Sequence, residues 1–289
     1  MNDREADAPT ASPPVGDAVG ESASMALKSE AGRAVGLDPT LHPSDNMGAR
    51  DPWRYFAVGA DALRVIRACL VLAGVPAPAR VLDHACGFGR VGRHLRAAFP
   101  GAQIVAADVW AEAVAFVEGR FADRAVRVSP EGDDASWRRI GKGFDLVWCG
   151  SLLTHLPPDA IDATLARFAA ALAPGGVAVV TTHGRFPRHR LATGGYTYNV
   201  PDSSALVLDF DEGRHGFAPY AGHGRYGASL SPLPLLTGWV TRRADLTLRL
   251  ACERAWDDHQ DVVCFQKRAA TAAWNTPALD RSTQEGTTS

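Results

Sequence analysis

Residues 81–95 read VLDHACGFGRVGRHL. Gly87, Gly89 and Gly92 spell G-x-G-x-x-G, which taken alone is the turn of a dinucleotide-binding unit. The residues before it, Arg80 to His84, form a short apolar run, as a buried strand does. Val91, Leu95, Ala98 and Phe99 follow on one helical face, closed by Pro100-Gly101. Strand, glycine turn and helix are therefore in place, and Asp83 decides what they hold. A pyrophosphate seated on the helix N-terminus is drawn there by positive partial charge, and an aspartate at the strand end repels it. A cofactor with a cationic end removes the conflict.

The same alternation extends in both directions. Upstream, Leu63, Ile66, Leu70 and Ala73 repeat at helical spacing, so residues 54–72 read as a helix ending near Gly74. Downstream come strands at Gln103–Ala107, Ala125–Val128, Phe144–Cys149 and Val177–Thr182. Helical stripes at Trp110, Val114, Val117 and Phe121, and at Ile161, Leu165, Phe168 and Leu172, separate them. Pro174-Gly175-Gly176 stops the second stripe. Leu233 to Val240 reads as one more helix, and Leu246–Trp256 and Asp261–Lys267 as strands joined by a tight turn, which makes them antiparallel. The fold class expected is α/β: a doubly wound, mostly parallel seven-stranded sheet with an antiparallel terminal strand. In such sheets the site lies beyond the carboxyl ends of the strands.

The chain has 289 residues, 46% hydrophobic, enough for a full core. Lys and Arg number 30 against 32 Asp and Glu, so bulk charge gives no nucleic-acid signature. The five cysteines are scattered without metal-ligand spacing and read as reduced core thiols; no metal is expected. No apolar run has the length of a membrane span, and a cytoplasmic protein is the default expectation. Residues 1–50 contain no aromatic residue and are rich in small and polar types, so they read as a disordered leader. Residues 51–270 form the expected domain, residues 184–234 an acceptor-side insertion or lid within it, and residues 271–289 a disordered tail.

Four stretches, taken together, resemble the class I S-adenosylmethionine-dependent methyltransferase family. They are VLDHACGFGR, AADVW at the end of the second strand, FDLVWCGSLLTHLP, and LAPGGVAVVTTHG leading into the fifth strand. The terminal hairpin is similar to the family's antiparallel strand. The resemblance implies a Rossmann-like fold with S-adenosyl-L-methionine as cofactor, its cationic end answering Asp83 directly or through water. Asp83, Ala85, Gly87 and Gly89 then fall on the cofactor loop, with Ala85 standing where the family commonly has glycine. Asp108 is implied to accept from the ribose hydroxyls. Val109 and Trp110 would pack near the adenine, and Asp133 or Asp134 would reach its amino group. Cys149 and Gly150 would offer backbone to the methionine moiety, and Tyr55 in the N-terminal segment would cover the cofactor or simply pack on the sheet.

Methyl transfer needs an aligned acceptor, excluded water and, for some acceptors, a base. Three histidines fall on the carboxyl-end side: His155, His183 and His259. Each is a candidate base, but the structural reading is the more common one for a histidine so placed, and no single base is named. Residues 184–234 bring Tyr196, Tyr198, Phe217, Tyr220 and Tyr226, a lining that suits a sugar or other polyhydroxylated small molecule, so the expected acceptor is an oxygen of a glycan-related or secondary metabolite. Arg185, Arg188 and Arg190 form a basic run that binds an acidic acceptor or is a solvated loop. Two other readings stay open, a nucleotide-dependent oxidoreductase built on the glycines and a non-catalytic cofactor-binding module. The sequence sets no oligomeric state.

Overall fold

Successive residues of a strand point to opposite faces of a sheet, and here the two sets enter two separate cores. Val81, Leu146, Val177 and Val179 belong to one, Leu82, Val147, Ala178 and Val180 to the other, all essentially without solvent exposure. Strands apolar on both faces require helices on both faces, the condition for a parallel sheet. The structure is a computed structural model, which describes residues 37–269 apart from 76 and 131.

The elements alternate as the periodicity implies. A short helix α1 (Asn46–Arg50) precedes the long α2 (Pro52–Ala73), β1 (Arg80–His84), α3 (Gly92–Ala98), β2 (Gln103–Asp108), α4 (Ala111–Val117) and β3 (Arg124–Arg127). Then come α5 (Asp134–Ile140), β4 (Phe144–Cys149), α6 (Pro158–Ala171), β5 (Leu172–Thr182), α7 (Arg185–Ala192), α8 (Ser204–Asp211), β6 (Gly216–Pro219) and β7 (Gly227–Leu230). The chain closes with α9 (Leu233–Thr241), β8 (Leu246–Trp256) and β9 (Gln260–Lys267). Seven strands form one sheet in the order β3-β2-β1-β4-β5-β9-β8. Its first five strands are parallel, β9 runs antiparallel beside β5, and β8 lies outside β9. The expected fold class is the one found.

The strand order reverses between β1 and β4, so the crevice lies beyond their carboxyl ends. On one face, α2 and α3 supply Val65, Ile66 and Leu95 to the core; on the other, α6 and α9 supply Leu165, Phe168, Leu236 and Val240. The long helix has the termini its sequence specifies. Asp51 accepts from the Arg54 amide, Pro52 takes the first turn, and Gly74 closes the end in the left-handed region.

Two boundaries depart from expectation. Residues 37–50, assigned to the leader, are structured: Leu37 and Leu41 pack on Tyr55 and Phe56, and Asp45 caps α1. These two leucines are the apolar surface a composition average over fifty residues hides. Residues 1–36 and 271–289, the rest of the expected leader and tail, lie outside the described residues. Strand β5 starts at Leu172 rather than Val177, because a register shift between Phe144 and Leu146 absorbs Pro174-Gly175-Gly176, with Gly175 at φ 85°. Finally, residues 184–234 have elements of their own. Leu191, Tyr198, Val200, Leu206, Ala228 and Leu230 make a small separate core under α7, α8 and the β6–β7 hairpin.

Candidate active site

The chain leaves β1 through Ala85, held at φ 57°, a conformation that costs a non-glycine residue about 1–2 kcal/mol. The Cys86 amide then donates to the Ala107 carbonyl (3.1 Å), and the Gly87 amide to Asp108 Oδ2 (2.8 Å), so the glycine loop is tied to the end of β2. Two glycines are required by close approach. A Cβ on Gly89 would lie 2.3 Å from the Phe121 ring, and one on Gly92 2.9 Å from Asp83 Oδ2.

Asp83 is 2% exposed, and its Oδ2 has no hydrogen-bond partner. Burial, and then the Asp108 charge, push its carboxyl up to about 7. A buried carboxylate without a partner is costly, and a cationic ligand group at that spot removes the cost. Asp108 also accepts from the Trp110 amide (3.0 Å) through Oδ1. Burial raises its pKa while the amides of Trp110 and Gly87 oppose the rise. Val109 and Trp110 are partly exposed at the mouth beside it, apolar surface of the kind an adenine covers. Cys149 is wholly buried, and burial raises its thiol well above the usual range; Gly150 lies against the rings of Trp148 and Trp256.

Asp133 and Asp134 are used differently. Asp133 caps α5 by accepting from the Ser136 amide (2.7 Å), and Asp134 pairs with Arg167 (3.6 Å). Both are exposed, and the cap accounts for Asp133 without a ligand. Tyr55 packs 5.6 Å from Phe56 in the N-terminal cluster, 2% exposed.

Arg93 was not expected. It is 1% exposed, its guanidinium lies 4.6–5.3 Å from the rings of Phe121, Tyr55 and Phe56, and it donates to carbonyls of Gly89, Asp38 and Thr40. It thereby fastens residues 38–40 to the glycine loop, and His42 stacks on Phe88 at 4.6 Å. No acidic neighbour in sequence signals this role, because every partner is a backbone carbonyl. Arg90 is the second. Its guanidinium lies 5.5 Å from the Trp256 ring and 3.8 Å from Met47 Sδ, and it has no acidic partner at ion-pair distance among the described residues.

The three histidines converge. His183 lies 5.3 Å from His259 and 4.8 Å from Tyr198, centroid to centroid, and the Tyr198 hydroxyl is 3.0 Å from His259 Nε2. Burial, then the charges of His259 and His155, hold His183 well below the usual histidine range. Burial and the charge of Arg190 hold His259 near about 4. His155 donates from Nδ1 to the Gly227 carbonyl (2.9 Å), which leaves Nε2 as its accepting nitrogen, and it stacks on Tyr226 at 4.8 Å. Burial lowers its pKa, opposed by that carbonyl. Beneath them, Ser151, Thr181 and Gln260 form a ring of three hydrogen bonds (2.6–2.8 Å) joining the ends of β4, β5 and β9. Neutral imidazoles of such low basicity orient and accept hydrogen bonds, but they are weak proton acceptors at neutral pH.

Residues 81–176 match the family described as "Methyltransferase domain". A curated relative, trans-aconitate 2-methyltransferase of Variovorax paradoxus (strain S110), is 33% identical over 125 residues, 42% of this chain and 46% of that protein. The chain thus spans about half the length of the curated relative it matches. Among solved structures, the plantazolicin methyltransferase BpumL, in complex with a pentazolic desmethylPZN analog and SAH, aligns with TM-score 0.51 at 12% identity, over 88% of this chain and 96% of that one. The PH0226 protein from Pyrococcus horikoshii OT3 aligns with TM-score 0.50 at 14% identity, over 72% and 91%. At these identities the structural likeness is one of fold. The strand order and the glycine loop agree with the family match: residues 81–176 carry a methyltransferase domain on a Rossmann-like sheet.

Proposed function

We propose that this chain transfers the methyl group of S-adenosyl-L-methionine to an oxygen of a small-molecule acceptor. The observation that carries the reading is Asp83, a buried carboxylate whose Oδ2 has no partner and which a cationic amino-acid end would satisfy. The same feature speaks against a pyrophosphate there, and so against the oxidoreductase alternative. The bound cofactor supplies a methyl carbon activated by an adjacent positive sulfur. Everything else falls to the protein. Asp83 would hold the amino group and Arg90 the carboxylate of the methionine end. Asp108 has lone pairs left for the ribose hydroxyls after serving Gly87 and Trp110. Trp110 and Val109 would cover the adenine, and the backbone at Cys149 and Gly150 would face the methionine moiety.

On the acceptor side, His155, His183, His259 and Tyr198 would orient the substrate, with residues 184–234 forming the wall. The acceptor named for the curated relative, trans-aconitate, is a small molecule, which supports that size class. A screen of acceptor pools with cofactor carrying a labelled methyl group tests the proposal, with glycan-related and secondary-metabolite fractions kept apart. Label transferred to a small molecule supports it. Cofactor binding with no transfer to any pool favours a non-catalytic binding module.

A further inference from the structure

The basic run after β5 contains three arginines, and the structure sorts them. Arg185 pairs with Glu253 (2.8 Å), and Arg188 is bidentate to Asp211. Arg190 has no acidic partner among the described residues. Its guanidinium lies 5.0 Å from the Tyr196 ring and 6.0 Å from Phe186, with one long hydrogen bond to the Gly195 carbonyl (3.4 Å). It is half-buried, and its positive charge acts on both Tyr198 and His259. Asp257 and Asp258, which directly precede His259, are already committed to Arg54 (2.5 Å) and Arg254 (2.7 Å). An unpaired guanidinium therefore stands beside the Tyr198–His259–His183 constellation, whose other cationic neighbours, Arg54 and Arg254, are paired with Asp257 and Asp258.

We propose that the acceptor is a carboxylic acid, anchored as its anion by Arg190 and methylated on a carboxylate oxygen. This rests on the methyltransferase reading above and names its substrate class. A guanidinium offers paired donors in a fork that matches a carboxylate. The chemistry agrees with the surrounding groups. An alcohol acceptor has to give up a proton, and the neutral, weakly basic imidazoles nearby are poor recipients. A carboxylate arrives already deprotonated. Its oxygen lone pair forms the new O–C bond, the C–S bond breaks with its electron pair going to sulfur, and a methyl ester and a thioether result with no proton exchanged. The Tyr198 hydroxyl would donate to the anion beside Arg190, and Tyr196 stacks on the arginine that holds it.

The test uses the full chain with methyl-labelled cofactor and a panel of succinate, tricarballylate, benzoate and cinnamate. Their methyl esters, matching alcohols and phosphate monoesters serve as comparators, together with the acidic small-molecule fraction of a cell lysate. Methyl esters release their label as volatile methanol in base, whereas methyl ethers and methylamines do not. Expected is base-labile label on a carboxylate, at a kcat that is flat between pH 6 and 9 with the cofactor saturating. Arg190→Gln should raise the acceptor KM at least tenfold with kcat and cofactor Kd little changed, Arg190→Lys should recover part of it, and Arg185→Gln should leave it alone. Titration of the carboxylate into the SAH complex should show the same loss for Arg190→Gln without any turnover. Base-stable label, label on phosphate monoesters alone, or an unchanged KM in Arg190→Gln overturns the inference. If no fraction takes label at all, the methyltransferase reading itself has failed.

Discussion

Replacing Asp83 by Asn should move two properties in opposite directions. The carboxyl has an ordinary value of 3.8 and stands at about 7 in the fold, with burial the larger cause. At 1.36 kcal/mol per pH unit, the ionised form costs the cofactor-free protein ~4 kcal/mol at alkaline pH. Relaxation of the surroundings reduces this to roughly half, about 2 kcal/mol. The sign follows from the raised value: stability from this group is fully present below 3.8 and lost as pH rises through about 7. Asn keeps the shape and removes the charge, so at pH 8 the variant should melt higher by ~4–8 °C, at roughly 2–4 °C per kcal/mol for a fold of this size. Cofactor binding should weaken by ~1.5–3 kcal/mol, the scale of a hydrogen bond to a charged group, or about 10- to 150-fold in Kd. Differential scanning calorimetry across pH 5–8 and isothermal titration with S-adenosylmethionine measure the two. A variant that melts at or below the parent temperature and binds the cofactor equally well would refute the reasoning, since Asp83 would then be an ordinary structural carboxylate.

Asp108→Ala should cost ~1.5–3 kcal/mol of cofactor affinity by titration, because it removes the ribose acceptor and the anchor of the Gly87 and Trp110 amides together. His183→Ala and His259→Ala should each lower kcat/KM tenfold or more while cofactor Kd changes little, and steady-state kinetics on folded variants separates this from lost stability. Deleting residues 1–50 should lower stability by at least ~2 kcal/mol in denaturant titration, because Arg93 loses the Asp38 and Thr40 carbonyls and stays buried. Toward acid, His84 and His94, each held at about 4 by burial, contribute stability that is present above 6.5 and lost as pH falls through about 4, and His183, held well below the usual range, acts in the same direction. The melting temperature should therefore drop between pH 6.5 and pH 4, and Asp83→Asn should remove only the opposing loss that Asp83 contributes as pH rises toward about 7.

The sheet was legible because its signal is local. Each of the first five strands is an apolar run bounded by turn residues, and Arg80–His84 and Phe144–Cys149 match to the residue. The glycine loop and Asp108 were legible for a similar reason, since strand ends and spacing place them without knowledge of the rest. What escaped depends on contacts distant in sequence. Arg93 meets carbonyls of residues 38–40, more than fifty positions away, and no residue type announces a carbonyl partner. The β6–β7 hairpin and α8 carry short, weakly periodic segments whose apolar residues meet only in their own small core. The basic run of Arg185, Arg188 and Arg190 was visible, but its meaning lay in the partners Glu253 and Asp211, which only the fold brings near two of the three. Asp133 looked like a ligand and serves as a helix cap, because a loop aspartate before a helix satisfies both patterns.

The central claim is that the glycine loop, with Asp83 behind it, holds a cationic adenosyl cofactor and not a pyrophosphate. Isothermal titration of the full chain with S-adenosylmethionine, SAH and NADH tests it directly. The account predicts binding of S-adenosylmethionine and SAH, no binding of NADH, and a shared loss of the first two in Asp108→Ala. Binding of NADH with no response to S-adenosylmethionine would contradict it.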